Sequence, residues 1–265
     1  NPKAVELHWD NYIAPFLKDK DYYKAFEYVH VDSYEQGSQN WSPVLPGEFK
    51  QQRGYDIIPY LPVMTGRVIG SMEQSERFLW DLRQTASDTM ARNYYGHLAK
   101  LAHKNGKKIS VEPYHQEQFD NVTVGGTADM VVTEFWQATT DHLPGAYWFK
   151  LGVSPAHVYG KKLVGAEAFT SKPKGGGNWS TDPWALKRLG DRALCMGINQ
   201  FIYHVYTQQP WLDLAPGCTT GPFGSQFTRT NTWFNLGYGW NKYLSRGQYM
   251  LRQGLFVGDV LFSVG

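Results

Sequence analysis

Cysteine is nearly missing from this chain: Cys195 and Cys218 are the only two in 265 residues. Two thiols cannot build the multi-bridge framework that staples small secreted domains, and no CxxC pair is present for metal or redox work. Their spacing gives little reason to expect a bridge. Cys195, in the apolar stretch ALCMGINQF, reads as a small buried hydrophobe. No run of about 18 apolar residues occurs, so a membrane-spanning helix is not expected. Charge is sparse as well, at 19% of residues with a net value of +2 and no Lys/Arg block, which argues against nucleic acid as a partner. HExxH, GxSxG and Walker patterns are all missing. Zincin, serine-hydrolase and phosphate-loop chemistry are thereby set aside.

Aromatic residues are abundant, 15% of the chain with 10 Trp and 17 Tyr. With 42% hydrophobic residues, the chain can bury a large core and is not expected to be disordered. Runs rich in β-branched residues alternate with helical patterns. The expected strands are 25–34, the run GYDIIPYLP stopped by Pro62, 108–114, 130–136, 162–169 and 200–206. Helices are expected over 4–17, 75–103, 147–159, 183–197 and 233–253. Apolar residues at four-residue spacing (Phe78, Leu82, Ala86, Met90, Tyr94, Leu98) mark the long one, and Asp182-Pro183 supplies a cap and first-turn proline. Strand–helix alternation implies a parallel sheet, and six strands suggest an α/β fold of the (β/α)8 barrel type, incomplete because upstream strands are missing. Long loops after strands and short ones before them place the working face at the strands' C-terminal ends. Residues 1–254 read as this partial barrel. Residues 255–265, a strand-like run with no partner in view, read as the start of a following domain or its linking strand.

Several strand-like runs end on a glutamate: Glu35 in VDSYEQG, Glu112 in KKISVEPY, Glu134 in MVVTEFW and Glu167 in VGAEAFT. Carboxylates gathered at that rim, among Tyr34, Trp41, Tyr114, Trp136 and Phe169, suit a sugar substrate. Rings stack on sugar faces, and glycosidases cut with two carboxyls. Glu35 and Glu167 are the candidate pair. Alternation puts Glu35 on the face of Ser33 and Val31, and burial among rings would hold it as an acid. Asp32, Trp41, Glu112, Trp136 and His204 are candidate sugar contacts. Several acids on one rim also call for a compensating cation, and oxygen ligands favour calcium near Glu134. The bland alternatives are caps, ion pairs with Lys or Arg, and a structural histidine. The glycine-rich GGGNWST reads as a rim loop, and Asn40, Asn121 and Asn178 match the glycosylation acceptor pattern.

Taken in order, DSYEQGSQNWSP, GYDIIPYLP, ERFLWDLRQT, GGTADMVVTEFW, VGAEAFT, GINQFIYHVYTQQP and RGQYMLRQGLFVGDVLF resemble glycoside hydrolase family 106, the α-L-rhamnosidases. The resemblance covers essentially the whole chain. It implies a barrel module within a larger multidomain protein, periplasmic or secreted in a bacterium. It further implies an inverting, calcium-dependent hydrolase of oligosaccharides or polysaccharides, with Glu35 as general acid, Glu167 as general base and Glu134 as calcium ligand. Two other readings stay open on the residues. One is a retaining glycosidase of the β-galactosidase type with Glu167 as nucleophile; the other is a carbohydrate-binding fragment without turnover.

Overall fold

The computed structural model describes residues 1–37, 41–114, 119–137, 145–171 and 179–262. They form two compact units, Asn1–Asp129 and Met130–Gly265. Asn40, Asn178 and most of the glycine-rich loop lie outside the described residues. Asn121 opens a short helix. Among the described residues, no helix is long and apolar enough to cross a membrane.

The first unit begins with three short helices, α1 (Pro2–His8), α2 (Ala14–Lys18) and α3 (Lys20–Ala25). Strand β1 (Tyr28–Val31) pairs in parallel with β2 (Lys108–Val111), Val31 opposite Val111. Between them run α4 (Leu45–Arg53), α5 (Met72–Met90) and α6 (Gly96–Lys104), and α7 (Asn121–Gly126) comes after β2. Leu45, Phe49, Ile57, Val63 and Phe78 form a buried cluster. The run GYDIIPYLP, expected as a strand, is instead a 3-10 helix over Ile58–Thr65. Pro59 and Pro62 explain the difference. Neither has an N–H for a ladder, and a ring-fixed φ suits a tight helical turn.

The long helix expected over 75–103 is present as α5 and α6, joined by one π-type turn at Ala91–Tyr95. Ser71 caps its start by accepting from the Gln74 amide. The π turn needs Gly96, because a Cβ there would stand 2.9 Å from the Ala91 carbonyl oxygen. The bulge thus rests on a residue with no side chain to clash.

The second unit is a parallel three-stranded arrangement: β3 (Met130–Trp136), β4 (Val164–Thr170) and β5 (Gln200–Tyr203), with β4 between the other two. Helix α8 (Ala146–Val158) lies against β3 where Gly152 meets Thr133; a Cβ at Gly152 would come within 2.9 Å of the Thr133 Cβ. Helix α9 (Pro183–Met196) starts on the Asp182 cap and ends at Gly197, whose φ of 112° is left-handed. Phe135, Phe149, Phe169 and Phe201 pack edge to face or tilted in the core behind the strands. Helix α10 (Tyr238–Leu251) begins five residues later than expected, after a 3-10 turn at Phe234–Leu236.

The architecture is therefore α/β with parallel strands, as the alternation implied. Five strands occur among the described residues rather than six. Cys195 is exposed rather than buried, and both thiols are free. On amphipathic α9 the buried positions are Leu186, Leu189, Gly190 and Ala193, which leaves Cys195 on the outer side. Residues 255–262 form no strand and are exposed.

Candidate active site

In the first unit, the chain leaves β1 at Val31, so Asp32 and Glu35 ride on the loop after it rather than on the strand itself. Glu112 comes one residue after β2, and its amide donates to the Val31 carbonyl (2.9 Å). The Tyr34 amide donates to the Tyr114 carbonyl (3.1 Å), carrying the parallel alignment past the strand ends. Two acids meet here. Glu112 is buried and accepts from the Tyr114 hydroxyl (3.1 Å). His30 contacts the Ser110 hydroxyl through Nδ1 (3.0 Å) and lies 3.6 Å from Asp32 through Nε2. Ligand atoms of His30, Asp32 and Glu112 fall within 4.8 Å of one another.

Asp32 is held down to about 2, first by the neighbouring His30 imidazole and then by Glu112, which together outweigh the cost of its desolvation. The lowered value has a stability consequence. A carboxyl depressed in the folded state contributes stability above its unfolded value of 3.8, and loses it as pH falls toward about 2. We therefore expect Asp32→Asn to flatten the loss of stability over that window. Urea titrations between pH 4 and pH 2 would check this; an unchanged slope would contradict it.

Glu35 accepts from the Ser33 hydroxyl (3.0 Å), in line with the shared face the alternation gave them. It is exposed, so the ring-lined burial expected for it is not found. The reason is the early end of β1, four residues before it. A cavity of about 450 Å³ opens beside this loop, lined among others by His30, Asp32, Tyr34, Glu35 and Tyr94. Trp41, in the segment before α4, is exposed.

The second unit carries the other candidates. Glu134 and Glu167 are register partners on β3 and β4, so the two carboxylates stand abreast. Both lie inside their strands, two and three residues from the ends, rather than at the last position. Glu134 and Trp136 share the face opposite Thr133 and Phe135, the residues that meet α8 and the aromatic core. Trp136 meets Phe223 edge to face (5.9 Å). His204 directly succeeds β5 and lies 3.6 Å from Glu167.

Sequence reading missed Thr170. Its hydroxyl donates to Glu167 Oε1 and contacts His204 Nδ1 (3.1 Å). Strict alternation puts Thr170 on the opposite face from Glu167. It does not arrive there because Phe169 is an extra residue in the ladder: Ala168 faces Phe135, Thr170 faces Trp136, and Phe169 takes a left-handed φ of 66°. Such a bulge turns the next side chain over.

The model of the family Glyco_hydro_106, described as alpha-L-rhamnosidase, matches residues 1–265. The chain belongs to glycoside hydrolase family 106. A solved structure, the rhamnosidase from Novosphingobium sp. PP1Y, superposes with a TM-score of 0.85 at 31% identity, over 96% of this chain and 25% of its own. A protein of Formosa agariphila named "Putative beta-glucuronidase" is 44% identical over 274 residues, 99% of this chain and 22% of that protein. The family 106 chain described here thus spans about a quarter or less of the length of these relatives. Of the strings that carried the family 106 resemblance, DSYEQGSQNWSP starts just after β1, GGTADMVVTEFW and VGAEAFT hold β3 and β4 with Glu134 and Glu167, and GINQFIYHVYTQQP holds β5, whereas ERFLWDLRQT lies on α5 and RGQYMLRQGLFVGDVLF runs out of α10.

Proposed function

We propose that this chain is the catalytic part of an inverting α-L-rhamnosidase, with Glu35 as general acid and Glu167 as general base. The observation that carries the reading is family membership over the full chain, joined to acids on or just past successive parallel strands. Glu35 donates its proton to the glycosidic oxygen as the bond to the anomeric carbon breaks. Glu167 takes a proton from water as the water oxygen bonds to that carbon from the opposite side. The products are the free sugar and the aglycone alcohol, and both carboxyls end with exchanged protonation. Inversion needs the two carboxyls about 6.5–9.5 Å apart, against about 5–5.5 Å for retention. Asp32, Glu112, Trp41, Trp136 and His204 would bind the sugar. The complete (β/α)8 barrel and a periplasmic or secreted location belong to the same proposal.

The relative named for glucuronides supports a second reading, in which the sugar carries a carboxylate. A panel of 4-nitrophenyl α-L-rhamnoside, β-D-glucuronide and β-D-galactoside, assayed with the intact protein, separates them. Release from the rhamnoside alone is expected. Release from the glucuronide or the galactoside in its place would overturn the substrate assignment, and no release from any would favour a binding role.

Calcium fits the donor set here. Glu134 and Glu167 stand abreast on neighbouring strands, and two carboxylates side by side favour either a shared proton or a hard cation with oxygen ligands. Glu134 would hold the ion, which would fix the sugar's hydroxyls when bound. Exhaustive chelation should therefore lower kcat/KM, restored by added calcium, and Glu134→Ala should weaken calcium binding in calorimetry. Full activity in a protein shown by elemental analysis to be metal-free would remove calcium from the account.

A further inference from the structure

We propose that Thr170 is the positioning residue for Glu167, presented by the bulge at Phe169, and that it also fixes the tautomer of His204. The proposal rests on the assignment of Glu167 as general base. Thr170 is fully buried, and its hydroxyl has one hydrogen to give. That hydrogen goes to Glu167 Oε1, an acceptor when ionised. The 3.1 Å contact with His204 Nδ1 must then run the other way, with the imidazole donating. A neutral His204 consequently carries its proton on Nδ1 and presents Nε2 as an acceptor. A single buried hydroxyl thus sets two groups at once: the rotation of the carboxylate and the side of the imidazole that faces a ligand.

The backbone around the bulge is built to keep it. A left-handed phenylalanine is unfavourable in isolation, and persists where its surroundings fix it. The Phe169 carbonyl accepts from the Ser225 hydroxyl (2.6 Å) and from Gln137 Nε2 (3.3 Å). Gln137 Nε2 also meets that serine hydroxyl and lies 3.2 Å from the Thr181 hydroxyl, so its two hydrogens are shared among three acceptors. The Gln137 amide donates to the Thr170 carbonyl (2.7 Å). The ring of Phe169 is buried against Phe135, Phe201 and Trp240. On the far side, Ser171 donates to the Gly224 carbonyl (2.9 Å). Gly224, at φ 93°, lies under His204; a Cβ there would stand 3.2 Å from His204 Nδ1. Four segments distant in sequence therefore converge on one irregular turn, and what that turn accomplishes is to deliver the Thr170 hydroxyl to Glu167.

The test uses the intact protein and 4-nitrophenyl α-L-rhamnoside. Thr170→Val and Thr170→Ala both remove the hydroxyl; Thr170→Ser keeps it. A misoriented base costs about 10–100-fold in rate, so both hydroxyl-free variants should lose that much kcat with KM within about threefold. Thr170→Ser should recover to within about threefold of the parent. Equal impairment of Thr170→Ser and Thr170→Val, or a loss that appears in KM rather than kcat, would make Thr170 merely structural and overturn the proposal. Glu167→Gln assayed alongside separates the two levels. If Glu167→Gln stays active, the base assignment itself falls. If it is inactive while either hydroxyl-free variant keeps the parent kcat, only the positioning role falls.

Discussion

Glu167→Gln should lose hydrolysis of every glycoside, activated or not, with kcat down by about 10²–10⁴-fold. The amide cannot take a proton from water, and water must be activated whatever the leaving group. The effect should be one of rate rather than affinity, since Gln keeps the size and most of the hydrogen-bonding capacity of Glu, including acceptance from Thr170. A small nucleophile such as azide, which needs no deprotonation, should restore turnover of an activated aryl glycoside. Steady-state kinetics with and without azide check both parts. A variant that keeps near-parental kcat on any substrate would remove Glu167 from the reaction.

Glu35→Gln should behave differently. Its loss should be about 10²–10⁴-fold on glycosides of ordinary alcohols, which cannot depart without a proton. On a 2,4-dinitrophenyl glycoside, whose aglycone leaves as a stable anion, the loss should be small. A plot of log kcat against leaving-group acidity should therefore be steep in the variant and shallow in the parent. Equal losses across the series would show that Glu35 does not act as the acid. Its exposure makes this the more demanding of the two tests. An acid on a loop four residues beyond β1 depends on how that loop is held when substrate is bound.

The runs that carry the acids were legible as parallel strands, but their ends were not. The run KKISVEPY, expected as a strand through Tyr114, stops at Val111, so Glu112 stands one residue past the strand rather than inside it. MVVTEFW and VGAEAFT read as strands and are strands, although each runs on past its glutamate. What composition could not show was conformation set by distant contacts. Thr170 looks like an ordinary strand residue pointing away from Glu167. Only the left-handed turn at Phe169 brings it round, and that turn is held by Ser225 and Gln137, 56 and 32 positions from Phe169. Local preference argues against a phenylalanine there, so no sequence rule would have proposed it. The misassigned GYDIIPYLP shows the opposite error: its apolar content suggested a strand, while its two prolines, a purely local signal, decided for a 3-10 helix.

The stereochemistry of the first-formed product tests the account most directly. With the intact protein at high concentration and an aryl α-L-rhamnoside, proton NMR in the opening seconds reads the anomer released before mutarotation. An acid–base pair acting on opposite faces of the ring predicts β-L-rhamnose first, with the α anomer growing only at the mutarotation rate. Release of α-L-rhamnose first would make Glu167 a nucleophile and the mechanism retaining, contradicting the central claim.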